Sequence, residues 1–119
     1  MSNRLIEACK NGVISKVKQY LKEGDDPSYI NSRTIIWSAF YGRYDIILLL
    51  LKDERVDPSC DNNYVIQWAC IHKRLDIVLV ILQDSRFKMT DNLYKYEEVM
   101  LFVYQIRQEK LDILIHSSI

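Results

Sequence analysis

The chain has 119 residues, 49% of them hydrophobic and 27% charged, with 16 basic and 16 acidic side chains in balance. A composition of this kind describes one globular domain and excludes a disordered chain. A formal net charge of zero supplies no global field to draw in nucleic acid or an anionic membrane.

The N-terminus, MSNRLIEACKNG, has no apolar core of signal-peptide length, and the longest apolar run, 46–51, is far too short to span a bilayer. Cys9, Cys60 and Cys70 are odd in number and lack CxxC spacing. They predict free thiols in a reducing compartment, the cytoplasm or nucleus.

Four copies of one unit follow in chain order. The second (31–61) and third (62–91) define it: Asn31, Ile35, Trp37, Arg43, Asp45, Ile46, Leu48, Leu51, Asp53 and Arg55 each recur 31 residues later as the same residue. Asp26-Pro27-Ser28 and Asp57-Pro58-Ser59 hold the only two prolines and keep the same spacing. In each copy an apolar run of helical period is followed by a break, at Gly12 and Gly42 or at His72-Lys73-Arg74, and then by a second run such as IILLLL or IVLVIL. The second run is read as a helix, with Asp45 or Asp76 at its positive N-terminal end. The Asp-Pro-Ser segment is predicted to be an extended turn, and Asn31-Ser32 and Asn62-Asn63 to cap the helix after it.

The first copy (1–30) matches the second at an offset of 30 through Leu5, Gly12, Val17 and Leu21. The fourth (92–119) is degenerate: LDIL at 111–114 repeats LDIV at 75–78 at an offset of 36, which leaves 36 − 31 = 5 extra residues, placed at 91–95 as an irregular loop or a helix extension. A repeat period in this range predicts an all-α solenoid of helix–turn–helix units forming a single domain over 1–119. Its ends read as caps. Glu7 replaces Trp37 and Trp68, Lys16 replaces Ile46 and Ile77, and Ser117-Ser118 replaces the leucine pair. The two tryptophans are expected to be buried between adjacent repeats.

The order of small-residue helix, glycine turn, leucine-rich helix and DPS loop resembles the ankyrin repeat. Ala8-Cys9, Ala39 and Ala69-Cys70 fall on that family's alanine pair, Gly12 and Gly42 on its turn glycine, and Leu50-Leu51 and Ile81-Leu82 on its paired leucines. The phrasing RVDPS…NNYVIQWA…LDIV is most similar to arrays found in giant DNA viruses and amoebae. The family's Thr-Pro-Leu-His helix start is missing: its positions read Arg33-Thr34-Ile35-Ile36 and Tyr64-Val65-Ile66-Gln67.

The resemblance implies a non-enzymatic adaptor or scaffold that binds a protein partner through loop tips and the exposed inner side of each first helix. Carried over, these positions are Ser32, Arg33, Phe40 and Tyr41 in the second copy, and Asn63, Tyr64, Ile71 and His72 in the third, with Asp61 at a loop tip. Phe40 and Ile71 either fold inward to complete the core or stand at the open groove; Tyr41 and His72 are harder to bury. The alternative is a self-associating module that docks through the fourth copy, with Tyr94, Tyr96, Phe102 and Tyr104. A monomer is expected, and a homodimer belongs to that alternative.

No catalytic, metal or cofactor constellation competes with this reading. His72 and His116 lie in different repeats, with no cysteine or carboxylate at ligand spacing. Cys9 and Cys70 occupy small-residue packing sites, while Cys60 is placed in a loop without a basic neighbour to activate it. Glycines at 12, 24 and 42 are too scattered for a phosphate cradle. Asp25-Asp26 and Glu97-Glu98 read as solvated charges. Lys16, Lys18 and Lys22 lie on a cap face and are followed by acids, which argues against a nucleic-acid surface.

Overall fold

The computed structural model describes residues 4–102, 104–105 and 108–109. The second helix of the fourth copy, with LDIL at 111–114, and the cap reading of Ser117-Ser118 fall outside the described residues. Three helix pairs run in order: α1 (Arg4–Asn11) with α2 (Ile14–Lys22), α3 (Tyr29–Phe40) with α4 (Tyr44–Leu51), and α5 (Cys60–Ile71) with α6 (Leu75–Gln83). A 3-10 helix (Asp91–Tyr96) and helical residues 97–102 follow. The described residues contain no strand. The inner helices stack α1 on α3 on α5 and the outer helices α2 on α4 on α6, which makes an all-α solenoid.

The inner stack is close because its facing residues are small. Ala8-Cys9, Ser38-Ala39 and Ala69-Cys70 are all buried, and Ser38 satisfies its hydroxyl by donating to Thr34 O at 2.6 Å. Between the two layers lie fully buried Ile35, Ile46, Ile47, Leu50, Ile66, Ile77 and Ile81. Each such side chain contributes about 1.5–3 kcal/mol relative to an exposed position.

Each inner helix ends in the same motif. Val13, Arg43 and Arg74 N–H groups donate back to Ala8, Ser38 and Ala69 carbonyls at 3.1, 2.7 and 2.8 Å. The residue before each is left-handed, with φ of +73° at Gly12, +69° at Gly42 and +54° at Lys73. This is a Schellman cap, whose left-handed position favours glycine. Glycine also leaves room for an arginine of the next repeat, which a larger residue would push aside. The Arg43 guanidinium, donating through Nε and Nη2 to Lys10 O at 3.0 and 2.9 Å, lies 2.9 Å from where a Cβ on Gly12 would stand. Arg74 Nη1 lies 2.8 Å from the same point on Gly42.

The start of the inner helices corrects the sequence reading. Asp26 Oδ1 accepts from Ser28 N, and Asp57 Oδ1 accepts from Ser59 N, both at 2.9 Å. The tripeptide is thus a side-chain-closed turn, and helix begins directly after it, without a side-chain N-cap. Ser32 and Asn63 do not cap. Asp61, Asn62 and Asn63 are all left-handed, and Ser32 is too. From these positions Ser32 Oγ accepts from Asp57 N at 3.2 Å, while Asn63 Nδ2 donates to Lys88 O and Thr90 Oγ1 at 2.9 Å each. Both side chains hold the loop that leaves their own repeat.

One other expectation changes. Trp37 and Trp68 are half-buried on the inner side. Trp37 meets Phe40 and Tyr41 in ring contacts at 5.7 and 6.0 Å, and Trp68 packs on His72 at 4.5 Å. The inner layer is already closed by small residues, so an indole has no room between helices. The extra residues at 91–95 take the second of the two expected forms and extend the helix that follows at 97. They make the 3-10 helix, pinned by fully buried Leu93 and by Asn92 Nδ2 donating to Asn62 O at 2.8 Å.

An Asp-x-Arg clamp recurs at 31 residues. Asp53 and Asp84 each accept two side-chain hydrogen bonds from Arg55 and Arg86, at 2.7–3.0 Å. Arg86 does more: it donates to Leu51 O, Asp53 O and Val56 O of the preceding repeat, at 2.6, 2.8 and 2.6 Å. Arg86→Ala should cost about 2–4 kcal/mol, because a charged donor and its three acceptors are lost together. Arg86→Lys should recover little of it, since one ammonium cannot reproduce the planar fork. Urea unfolding followed by tryptophan fluorescence measures both.

The clamps also set an acid limit. Hydrogen bonding to Arg4, Arg55 and Arg86 holds Asp25, Asp53 and Asp84 below the ordinary carboxylate range. A carboxylate depressed in the folded state stabilises the protein above its unfolded value, near 3.9, and loses that contribution as pH falls through the folded value. The unfolding midpoint should therefore hold steady down to about pH 5 and decline below about pH 4. Asp84→Asn should be less stable at neutral pH but decline less steeply in acid, as thermal melts across a pH series will read.

Candidate protein-interaction face

The C-terminal ends of α3 and α5 carry the largest exposed apolar side chains of the three helix pairs. Phe40 is 48% exposed, Tyr41 47% and Ile71 61%. An amphipathic helix ordinarily gives its solvent side to polar residues. At corresponding positions of the first pair, Lys10 and Asn11 follow that rule. The inner pairs break it, and the exposed Tyr41 and His72 continue the departure.

The aromatic groups of α3 support one another. Phe40 meets Trp37 and Tyr41 edge-on at 5.7 and 5.1 Å, while Trp37 and Tyr41 stack with 25° between their planes. Lys10 reaches across from α1, its Nζ 4.3 Å from the Trp37 ring centroid, while also pairing with Glu7 at 3.5 Å. On α5 the corresponding pair is Trp68 with His72, their planes inclined at 35°. Mutual packing fixes these rings while leaving much of their surface in water. That is the arrangement of an interface anchor, which has little rotamer freedom left to lose on binding.

The remaining residues of the predicted surface divide. Arg33 and Tyr64 are partly exposed, one turn before each tryptophan, so they belong to the same inner side. Asp61 is exposed, but in the left-handed first turn of α5 and not at a loop tip. Ser32 and Asn63 are 2% and 1% exposed and already engaged with the loops they hold, so they offer nothing to a partner. Trp37 and Trp68 are the face residues absent from the sequence prediction, and their recurrence marks a shared position without telling whether it is closed or open.

The cysteines lie apart from this face. Cys60 opens α5 rather than lying in a loop, and all three thiols are free and buried. Burial pushes Cys9 and Cys70 up to about 11 and Cys60 up to about 12, so none is a thiolate near neutrality. Among the described residues, no three His, Cys, Asp or Glu side chains group to hold a metal ion. No helix among them is long and apolar enough to cross a membrane.

Three stacked helix pairs, each closed by a left-handed turn and joined by DPS-type loops, are matched over residues 5–92 by the family model described as ankyrin repeats (3 copies). The chain belongs to the ankyrin-repeat family. No curated protein and no solved structure matches it significantly. Within this ankyrin array the exposed face lies on the inner helices, and ankyrin repeats are in general protein–protein interaction modules.

Proposed function

We propose that this ankyrin array is a non-enzymatic adaptor that binds a protein partner across the ends of α3 and α5. The observation that carries the reading is the exposure, in register and one repeat apart, of Phe40 with Tyr41 and Ile71 with His72. Aromatic and large aliphatic groups are enriched among interface anchors, and contiguous exposed apolar surface marks interaction sites. Arg33 and Tyr64, one turn before the tryptophans, border these anchors, and Asp61 stands at the opposite end of α5. Free, buried thiols fit a reducing compartment, the cytoplasm or nucleus.

A second reading has its own observation. Tyr94, Leu101, Phe102 and Tyr104, after the third helix pair, are each more than half exposed, at 61, 51, 52 and 54%. Such a surface would let two copies associate. Sedimentation at rising concentration tests it: a monomer throughout removes this reading.

The adaptor reading is tested by Tyr41→Ala with His72→Ala. Neither side chain fills the core, so the double variant should melt near the parent temperature while losing about 1–4 kcal/mol of partner affinity, if either side chain is a hot spot. Undiminished capture by a folded double variant moves the binding surface to the first turn of α5 around Asp61 or to the outer helices.

A further inference from the structure

We infer that the occupant of this face is an acidic, apolar protein segment, one large aliphatic or aromatic side chain flanked by Asp or Glu; the inference rests on the adaptor reading above. Charge is unevenly placed in a chain whose total is zero. The paired aspartates gather at the loop edge, where Asp25, Asp53 and Asp84 are engaged by Arg4, Arg55 and Arg86. The anchor edge is cationic instead. Lys10 is held over the Trp37 ring, so a positive charge is fixed beside the exposed aromatic cluster. Lys73 follows His72 directly, is exposed, and is thrown outward by a left-handed backbone; among the described residues no carboxylate pairs with it. Arg33, one turn before Trp37, is likewise without a carboxylate there.

Of the acids nearest this edge, Glu7 shares Lys10 at 3.5 Å in an exposed, solvent-screened pair that offsets only part of its charge. Asp76 is taken by Arg74 at 3.2 Å. Asp45 lies in the first turn of α4, across the turn and off the inner helix. A segment laid along the helix ends would meet Lys10, then the Phe40–Tyr41 cluster, then Ile71 and Lys73. Apolar anchors in the middle with cations at both ends demand the inverse pattern from a partner: an apolar centre with acidic flanks. Opposed charges at such a rim steer the approach and reject basic competitors.

Selection of a phage-displayed random peptide library on the full chain tests this. The expected consensus is a Phe, Leu or Trp flanked by Asp or Glu. The most enriched peptide, made synthetically, should lose at least about tenfold in affinity to Lys10→Glu with Lys73→Glu, equivalent to about 1.4 kcal/mol, and should weaken with added salt. The charge-reversed protein should select basic flanks in its place. An apolar consensus with neutral or basic flanks overturns the acidic partner and leaves the adaptor face standing. Peptides that bind the folded Tyr41→Ala/His72→Ala protein as well as the parent overturn the face itself. Circular dichroism of each variant confirms that it is folded.

Discussion

The whole array depends on how near α1, α3 and α5 can come to one another. A helix pair of this size cannot bury its own apolar stripe, so each must press against a neighbour. The buried Ala8-Cys9, Ser38-Ala39 and Ala69-Cys70 pairs make that contact with almost no side chain. Once the inner layer is close, the outer helices can be almost wholly apolar. In α4 and α6, Ile46, Ile47, Leu50, Ile77, Val78 and Ile81 are buried on the inner layer and on each other. Among the described outer helices α2 packs on α4 alone, and on it Lys16, Lys18, Gln19 and Lys22 stand exposed. The gradient from polar end to apolar centre follows from counting neighbours.

Register along the stack is held by arginines more than by the loops themselves. Arg43 binds a carbonyl of the first repeat, and Arg86 binds three carbonyls of the second. Each has a counterpart at the same repeat position that does a smaller job: Arg74 pairs with Asp76, and Arg55 with Asp53, its Nη1 lying 3.9 Å from Asp26. Sequence identity between copies therefore does not guarantee identity of role. What differs is the neighbour within reach, and terminal and central repeats have different neighbours.

Much of the fold was legible because packing imposes a period on the residues that pack. Ile35 and Ile66, or Ile46 and Ile77, recur since each occupies the same slot in a repeated core, and Gly12 and Gly42 recur since one turn requires a left-handed residue. Features that depend on which loop a polar side chain reaches left no such trace. Asp and Asn enter the left-handed region more readily than other non-glycine residues, so Asp61-Asn62-Asn63 permits a left-handed turn. It does not say which loop Asn63 reaches, and the contacts with Lys88 and Thr90 are visible only in the structure. Asn63 Oδ1 finds no hydrogen-bond partner among the described residues, and the structure gives no physical reason for it. Trp37 and Trp68 misled for the opposite reason. Their recurrence was real, but recurrence marks a shared environment, and here that environment is the half-open inner side.

The same logic separates stability from recognition in this molecule. Core slots recur with conserved volume between copies two and three: Ile35 with Ile66, Ile47 with Val78, Leu50 with Ile81. The exposed slots at the helix ends recur in position but change in chemistry, from Lys10 to Phe40 to Ile71 and from Asn11 to Tyr41 to His72. A slot constrained by packing cannot vary so widely without a cavity or a clash. A slot facing water can, and each change there alters what the face presents while leaving the stack intact. Three stacked repeats thus bring side chains far apart in sequence into one row, whose order from cationic end to aromatic centre to aliphatic and cationic end is independent of the forces holding the helices together.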